Sequence, residues 1–95
     1  MPRLIWSPPA LRDLARLYQF LAAQNPDAAK RAIKAIRTGM NIVATRPEIG
    51  RPMEAMSHEF REWLIDFGDS GYVAVYRYDG KQAVVLAVRH QRELS

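Results

Sequence analysis

The chain has 95 residues, no cysteine and a formal charge of +4, with a pI near 9.9. That length supports one domain with a modest core, and the missing thiols exclude a disulfide framework and thiolate chemistry, in keeping with a reducing cytoplasm. No apolar run approaches the ~20 residues of a membrane span and no signal peptide is recognisable, so a cytoplasmic location is expected; the basic balance permits an acidic protein or a nucleic acid as partner without choosing between them.

Arg3-Leu4-Ile5-Trp6 is a short strand candidate. Ser7 followed by Pro8 starts a helix, with a hydroxyl to cap free backbone N–H groups and a proline where no N–H is missed. Leu11, Leu14, Leu17, Tyr18 and Leu21 recur at helical spacing as an apolar stripe. Asn25-Pro26 ends this helix and caps the next, where Asp27 faces the positive helix end. Ala29, Ile33, Ile36, Met40 and Val43 then step by three and four along a core-facing seam. Gly39 within it costs about 1 kcal/mol relative to alanine, and close approach of a neighbouring backbone is the expected reason. Lys30, Arg31, Lys34 and Arg37 form a basic stripe. It reads either as a solvated face or as a landing surface for an acidic partner or phosphate, and charge spacing alone does not choose.

Arg46-Pro47 stops the second helix. Residues 47–60 form a connection of a length that is uncommon in compact domains and often functional; Gly50 is expected to supply a turn conformation and Pro52 to stiffen the exit. From Phe60 to Glu93, three runs rich in Val, Ile, Tyr, Trp and Phe are split by Gly-Asp-Ser-Gly at 68–71 and Asp-Gly at 79–80, which predicts a three-stranded antiparallel meander. The whole is an α+β domain: an N-terminal strand, an antiparallel two-helix hairpin, and a meander forming one sheet packed on the helices.

A two-residue type I′ loop at Asp79-Gly80 pairs Tyr78 with Lys81, Tyr76 with Ala83, Ala74 with Val85 and Tyr72 with Ala87. A four-residue loop at Gly68–Gly71 pairs Phe67 with Tyr72, Ile65 with Ala74 and Trp63 with Tyr76. Opposed residues share a face. One face then carries Trp63, Ile65, Phe67, Tyr72, Ala74, Tyr76, Ala83, Val85 and Ala87, with Arg61 and Arg89 at one end. The other carries Leu64, Val73, Val75, Val84, Leu86 and Val88, fringed by Glu62, Asp66, Arg77, Gln82 and His90. Aromatics alternating with alanine suit the first face to receive helices. The second face is also apolar, whereas a half-solvated antiparallel sheet normally reads polar there. Tyr72 and Tyr76 are expected in the core rather than as a base-stacking platform, with Tyr78 exposed at a strand end. Glu62 is expected opposite Arg77. His58 and His90, without cysteine or a spaced carboxylate motif, make no credible metal site, and no cofactor is expected.

The order strand, helix, helix, long loop and meander resembles the RelE/ParE superfamily of bacterial type II toxins. The resemblance rests on Trp-Ser-Pro-Pro-Ala-Leu-Arg-Asp-Leu at 6–14, Pro-Glu-Ile-Gly-Arg-Pro at 47–52, Phe-Arg-Glu-Trp-Leu-Ile at 60–65, Gly-Tyr-Val-Ala-Val-Tyr-Arg at 71–77 and Val-Arg-His-Gln-Arg-Glu at 88–93. It implies a cytoplasmic toxin neutralised by a short antitoxin with a DNA-binding N-terminus and an acidic tail. Ribosome-dependent mRNA cleavers and DNA gyrase poisons share the fold, so the fold does not name the target.

Cutting RNA through its 2′-hydroxyl requires a base, cations on the phosphate and a proton for the leaving oxygen. The RNA-cutting branch resembles a solution with basic residues on the first meander strand, an arginine after Gly-Tyr, and a C-terminal arginine and tyrosine. In this chain those positions hold Leu64, Asp66, Val73 and Gln91, and no tyrosine follows Tyr78. The resemblance therefore points to the ParE-like, plasmid-stabilisation branch: a gyrase inhibitor acting by direct binding, with no catalytic residue, no membrane and no sequence-specific DNA contact of its own. The antitoxin is expected on Leu64, Val73, Val75, Val84 and Leu86 with Lys30, Lys34 and Arg37, and the target at Arg89, His90, Arg92 and Glu93. The alternative is a ribosome-dependent endoribonuclease using His90 with Arg61, Arg77, Arg89 or Arg92. A third reading is an antitoxin-binding module without lethal activity.

Overall fold

The computed structural model describes residues 3–94. In chain order these form β1 (Arg3–Trp6), α1 (Pro8–Ala22), α2 (Pro26–Thr45), β2 (Arg51–Pro52), β3 (Phe60–Phe67), β4 (Ser70–Tyr78), β5 (Gln82–His90) and a closing 3-10 turn, η1 (Gln91–Leu94). The five strands make one sheet in the order β1-β5-β4-β3-β2, antiparallel except for β1, which runs parallel to β5. The helical hairpin supplies the crossover that a parallel pair requires. Among the described residues no helix is long and apolar enough to cross a membrane.

Both helices begin as their sequences dictate. Ser7 Oγ accepts from Ala10 N at 3.2 Å, Asn25 Oδ1 accepts from Ala28 N at 3.1 Å, and each is followed by proline at the helix start. Ala10, Leu14 and Leu17 of α1 and Ala32, Ile36, Met40 and Val43 of α2 pack on Ile65, Tyr72, Ala74, Tyr76, Ala83, Val85 and Val88 of the sheet. Leu11 of the expected stripe lies outside this core, nearly half exposed. Gly39 is explained by a side chain rather than a backbone: a Cβ there would sit 2.9 Å from Ile65 Cγ1.

The meander exists, but both of its loops differ from expectation by two residues. Phe67 pairs with Ser70 across a Gly68-Asp69 loop with positive φ only at Gly68, the pattern of a type II′ turn. Tyr78 pairs with Ala83, because Asp79 does not adopt the positive φ of a type I′ turn. Its Oδ1 instead accepts from both Lys81 N and Gln82 N at 2.9 Å, which satisfies a longer loop. These hydrogen bonds hold the Asp79 carboxyl below its ordinary range. A shift of two keeps every side chain on its expected face. A bulge at Leu86 does not: Tyr76 faces Val85, but Val75 faces Ala87. Beyond it, Val88 and His90 turn to the helix face, while Ala87 and Arg89 turn away, opposite to expectation for all four.

The long connection is held from below. Tyr76, fully buried, donates its hydroxyl to Pro47 O at 2.7 Å and accepts from Gly50 N at 2.8 Å. Gly50 is needed for this approach rather than for a turn conformation, since a Cβ there would lie 2.4 Å from the phenol oxygen. Arg61 donates to the carbonyls of Glu48 and Gly50 at 2.9 and 2.8 Å. Tyr78, expected exposed, is half-buried against the core. Burial raises the Tyr76 phenol above its ordinary value of 10.0, opposed by the Gly50 hydrogen bond and the Arg61 charge. The unfolded phenol therefore ionises first. The stability it contributes is complete below about pH 10 and is lost as pH rises through the folded value. Tyr76→Phe strands a buried N–H and a carbonyl and is expected to lower unfolding free energy by about 1–3 kcal/mol in urea titrations, with a shallower alkaline decline than the wild type.

Candidate functional site

A concavity of about 600 Å³ lies between the C-terminal half of α1, the β3–β4 turn, the end of β5 and η1. Its apolar wall is Leu17, Phe20, Leu21, Phe67 and Tyr72; its polar rim is Arg16, Asp69, Ser70, His90, Arg92 and Glu93. Phe20 is 67% exposed, an anchor offered to solvent.

His90 lines the cleft with both ring nitrogens engaged. Nδ1 accepts from Arg92 N at 3.2 Å, which places the proton of the neutral ring on Nε2, 3.0 Å from Ser70 Oγ. The ring stands edge-on to Tyr72 at 5.4 Å. Burial, and then the Glu93 charge, raise the Tyr72 phenol above its ordinary value, so it is a neutral hydroxyl at physiological pH. The Nδ1 lone pair is turned toward the backbone of η1.

Asp13 of α1 closes the neighbouring sheet edge. β1 covers β5 only as far as Val85, and beyond it the edge-facing N–H of Val88 donates to Asp13 Oδ2 at 2.9 Å. Arg89 pairs with the same oxygen, and Arg16 bridges from Asp13, at 4.0 Å, to Glu93, at 3.1 Å. η1 is thereby tied to α1.

The structure separates the ribonuclease set. Arg89, His90, Arg92 and Glu93 gather at this end of the sheet, but Arg61 and Arg77 belong to the other. Tyr72, opposite His90, lies five residues from Arg77, roughly 17 Å along the strand. Arg61 is committed to the Glu48 and Gly50 carbonyls, and Arg77 to Glu59 at 2.9 Å. Arg61 and Arg89, expected at one end, therefore lie at opposite ends. The expected Glu62–Arg77 pair is absent too, because Glu62 faces Val75 and holds Arg51 of β2.

The antitoxin set is split likewise. Both helices cover the Ile65–Tyr76 face, and the opposite face, with Ile5, Leu64, Val75, Val84 and Leu86, carries no helix. Leu64 is 50% exposed and the other four are half-buried, whereas Val73 is only 5% exposed. Lys30, Lys34 and Arg37 project from α2 on the far side of the helix layer, so one short segment does not meet both groups without passing round the sheet. Among the described residues no group of three or more His, Asp or Glu side chains is placed to hold a metal.

The ParE toxin family of type II toxin–antitoxin systems (parDE) matches residues 4–95. The chain belongs to that family. Toxin RelE3 of Caulobacter vibrioides is 36% identical over 86 residues, spanning 90% of each chain. The putative toxin Y4kP of Sinorhizobium fredii is 31% identical over 91 residues, 96% of this chain and 90% of the relative. Two solved structures share the fold at 22% identity: the chromosomal ParDE system from P. aeruginosa, with a TM-score of 0.79 over 95% of this chain and 96% of that one, and the RelBE2 toxin–antitoxin complex from Mycobacterium tuberculosis, with a TM-score of 0.61 over 96% and 100%.

For this ParE-family chain, sequence reasoning missed Asp13, Arg16, Phe20 and Ser70. One signal was available: Phe20 falls outside the α1 stripe, and an aromatic on the wrong side of an amphipathic helix marks a surface contact. Asp13→Ala leaves Val88 N–H and Arg89 without their shared acceptor. The expected result is a loss of about 1–3 kcal/mol in urea unfolding, with faster amide exchange at Val88 than at Val85.

Proposed function

We propose that this type II toxin acts by binding DNA gyrase through the corner formed by Arg89, His90, Arg92 and Glu93, without chemistry on the toxin. The observation carrying the proposal is the loss of a cleavage kit. Leu64, Asp66 and Val73 occupy the positions that the RNA-cutting branch makes basic, the two far-end arginines are committed elsewhere, and His90 has no free lone pair. Phe20 and Phe67 beside that corner offer the aromatic anchors that protein interfaces use.

The cognate antitoxin is proposed to cover the bare sheet face over Leu64, Val75, Val84 and Leu86. Burying about 300 Å² of apolar surface there offers roughly 7 kcal/mol before ordering costs. A second reading, ribosome-dependent mRNA cleavage, is kept because a 36% identical relative carries a RelE name and His90 does sit beside Arg92.

Two experiments test these readings. Purified toxin is expected to inhibit gyrase supercoiling and trap cleaved DNA while leaving messages intact on translating ribosomes; clean scission in the ribosomal A site would sink the proposal. Leu64→Glu, at an exposed site that leaves the fold intact, is expected to weaken antitoxin binding by at least about tenfold, about 1.4 kcal/mol, in calorimetry. Unchanged affinity would move the antitoxin to another surface.

A further inference from the structure

The chain's charge is not spread over its surface. Between Pro26 and Arg46 lie Lys30, Arg31, Lys34, Arg37 and Arg46 against the single carboxylate of Asp27, so α2 and its cap carry the whole +4. The remaining nine cations and nine carboxylates cancel. Much of that cancellation is direct pairing: Arg16 with Glu93, Arg51 with Glu62, Arg77 with Glu59 and Arg89 with Asp13. None of the five α2 cations has an ion-pair partner among the described residues, and all five are exposed.

We infer that the exposed face of α2 is a docking surface for the phosphate backbone of duplex DNA, independent of the gyrase corner and of the bare sheet face. The composition of that face separates nucleic acid from an acidic protein. Around the cations it presents Thr38, Asn41 and Thr45, with Ile42 the one large apolar side chain. The core of a protein interface relies on aromatic anchors, and α2 has no Phe, Tyr or Trp. Phosphate contacts are made by Lys and Arg with Thr and Asn beside them. The absence of Phe, Tyr and Trp from α2 argues against single strands, whose bases stack on aromatics.

A rigid helix also fixes the spacing. Lys30, Lys34 and Arg37 lie along one line of α2, and the distance from Lys30 to Arg37 is about 10 Å at the rise of an α-helix. That reaches across a B-form major groove about 12 Å wide, whereas the narrow, deep major groove of A-form RNA gives no such access. Phosphate contacts carry no sequence information, so a contact made through them is independent of sequence and strongly salt-dependent.

The test is fluorescence anisotropy of a labelled random-sequence DNA duplex, titrated with the purified full chain over a series of salt concentrations. Wild type is expected to bind with a log–log salt slope of about −3 to −4, the value for four phosphate contacts. Lys34→Glu creates a favourable pair with Lys30 on the same helix face, so the fold is retained; it is expected to weaken binding at least about tenfold and to flatten the slope by about 1 or more. Lys81→Glu, on the exposed β4–β5 loop, changes net charge equally and is expected to leave binding within about twofold. Equal losses from the two substitutions would reduce the effect to net charge and overturn the inference. So would tighter binding of an RNA duplex of the same length. Displacement of the DNA by a poly-glutamate peptide of matched charge at equal or lower concentration would assign the helix to an acidic protein and overturn it as well.

Discussion

One extra residue in β5 governs how this molecule presents the end of its sheet that carries His90. The bulge at Leu86 reverses the facing of every later residue in the strand, so that Val88 enters the core and His90 enters the cleft while Arg89 points away. Without it, His90 would stand on the bare sheet face beside Val73, and the Tyr72 ring would lose its edge-on neighbour. The bulge falls just past the point where β1 stops covering β5, at Val85. There the edge is open, and Asp13 closes it by accepting Val88 N–H and pairing with Arg89. Strand irregularity, edge protection and placement of the corner are consequences of the same local geometry.

The opposite end of the sheet is organised by a second constraint. Tyr76 sits wholly inside and passes its hydroxyl between a carbonyl and an N–H of the long connection, and Arg61 ties two more carbonyls of that segment. A connection that the sequence marks as functional by its length is here a strap. The arginines that could have joined a catalytic cluster are used to hold it or are paired with Glu59. The molecule therefore has three separate exterior surfaces: a cleft with aromatic walls, a bare apolar sheet face, and a helix that carries the net charge. Each suits a different kind of contact.

Much of this was legible in the sequence because it follows local rules. Ser7-Pro8 and Asn25-Pro26 marked both helix starts, the alternation from Trp63 to Tyr76 marked the helix-facing side, and Leu64 and Asp66 fell on the outer face as their parity requires. What was not legible was set by competition between local preferences. Asp79-Gly80 favours a two-residue loop, but the Asp79 carboxylate found two backbone donors and the loop lengthened. The Leu86 bulge has no sequence mark at all, since Val-Val-Leu-Ala-Val reads as uninterrupted strand, and it alone reversed the expectation for Val88, Ala87, Arg89 and His90. Gly50 was recognised as special for the wrong reason, because its partner lies 26 residues away in Tyr76. The bond from Val88 N–H to Asp13 was invisible for the same reason, its partners being 75 residues apart in sequence.

The placement of His90 in the cleft by the β5 bulge is tested most directly by ring-nitrogen NMR of the free toxin. The expected result is an Nδ1 signal shifted by the Arg92 N–H bond and ring protons in contact with Tyr72. A ring with a solvent-exchanging, unbonded Nδ1, or one in contact with Val73 on the outer sheet face, would contradict it.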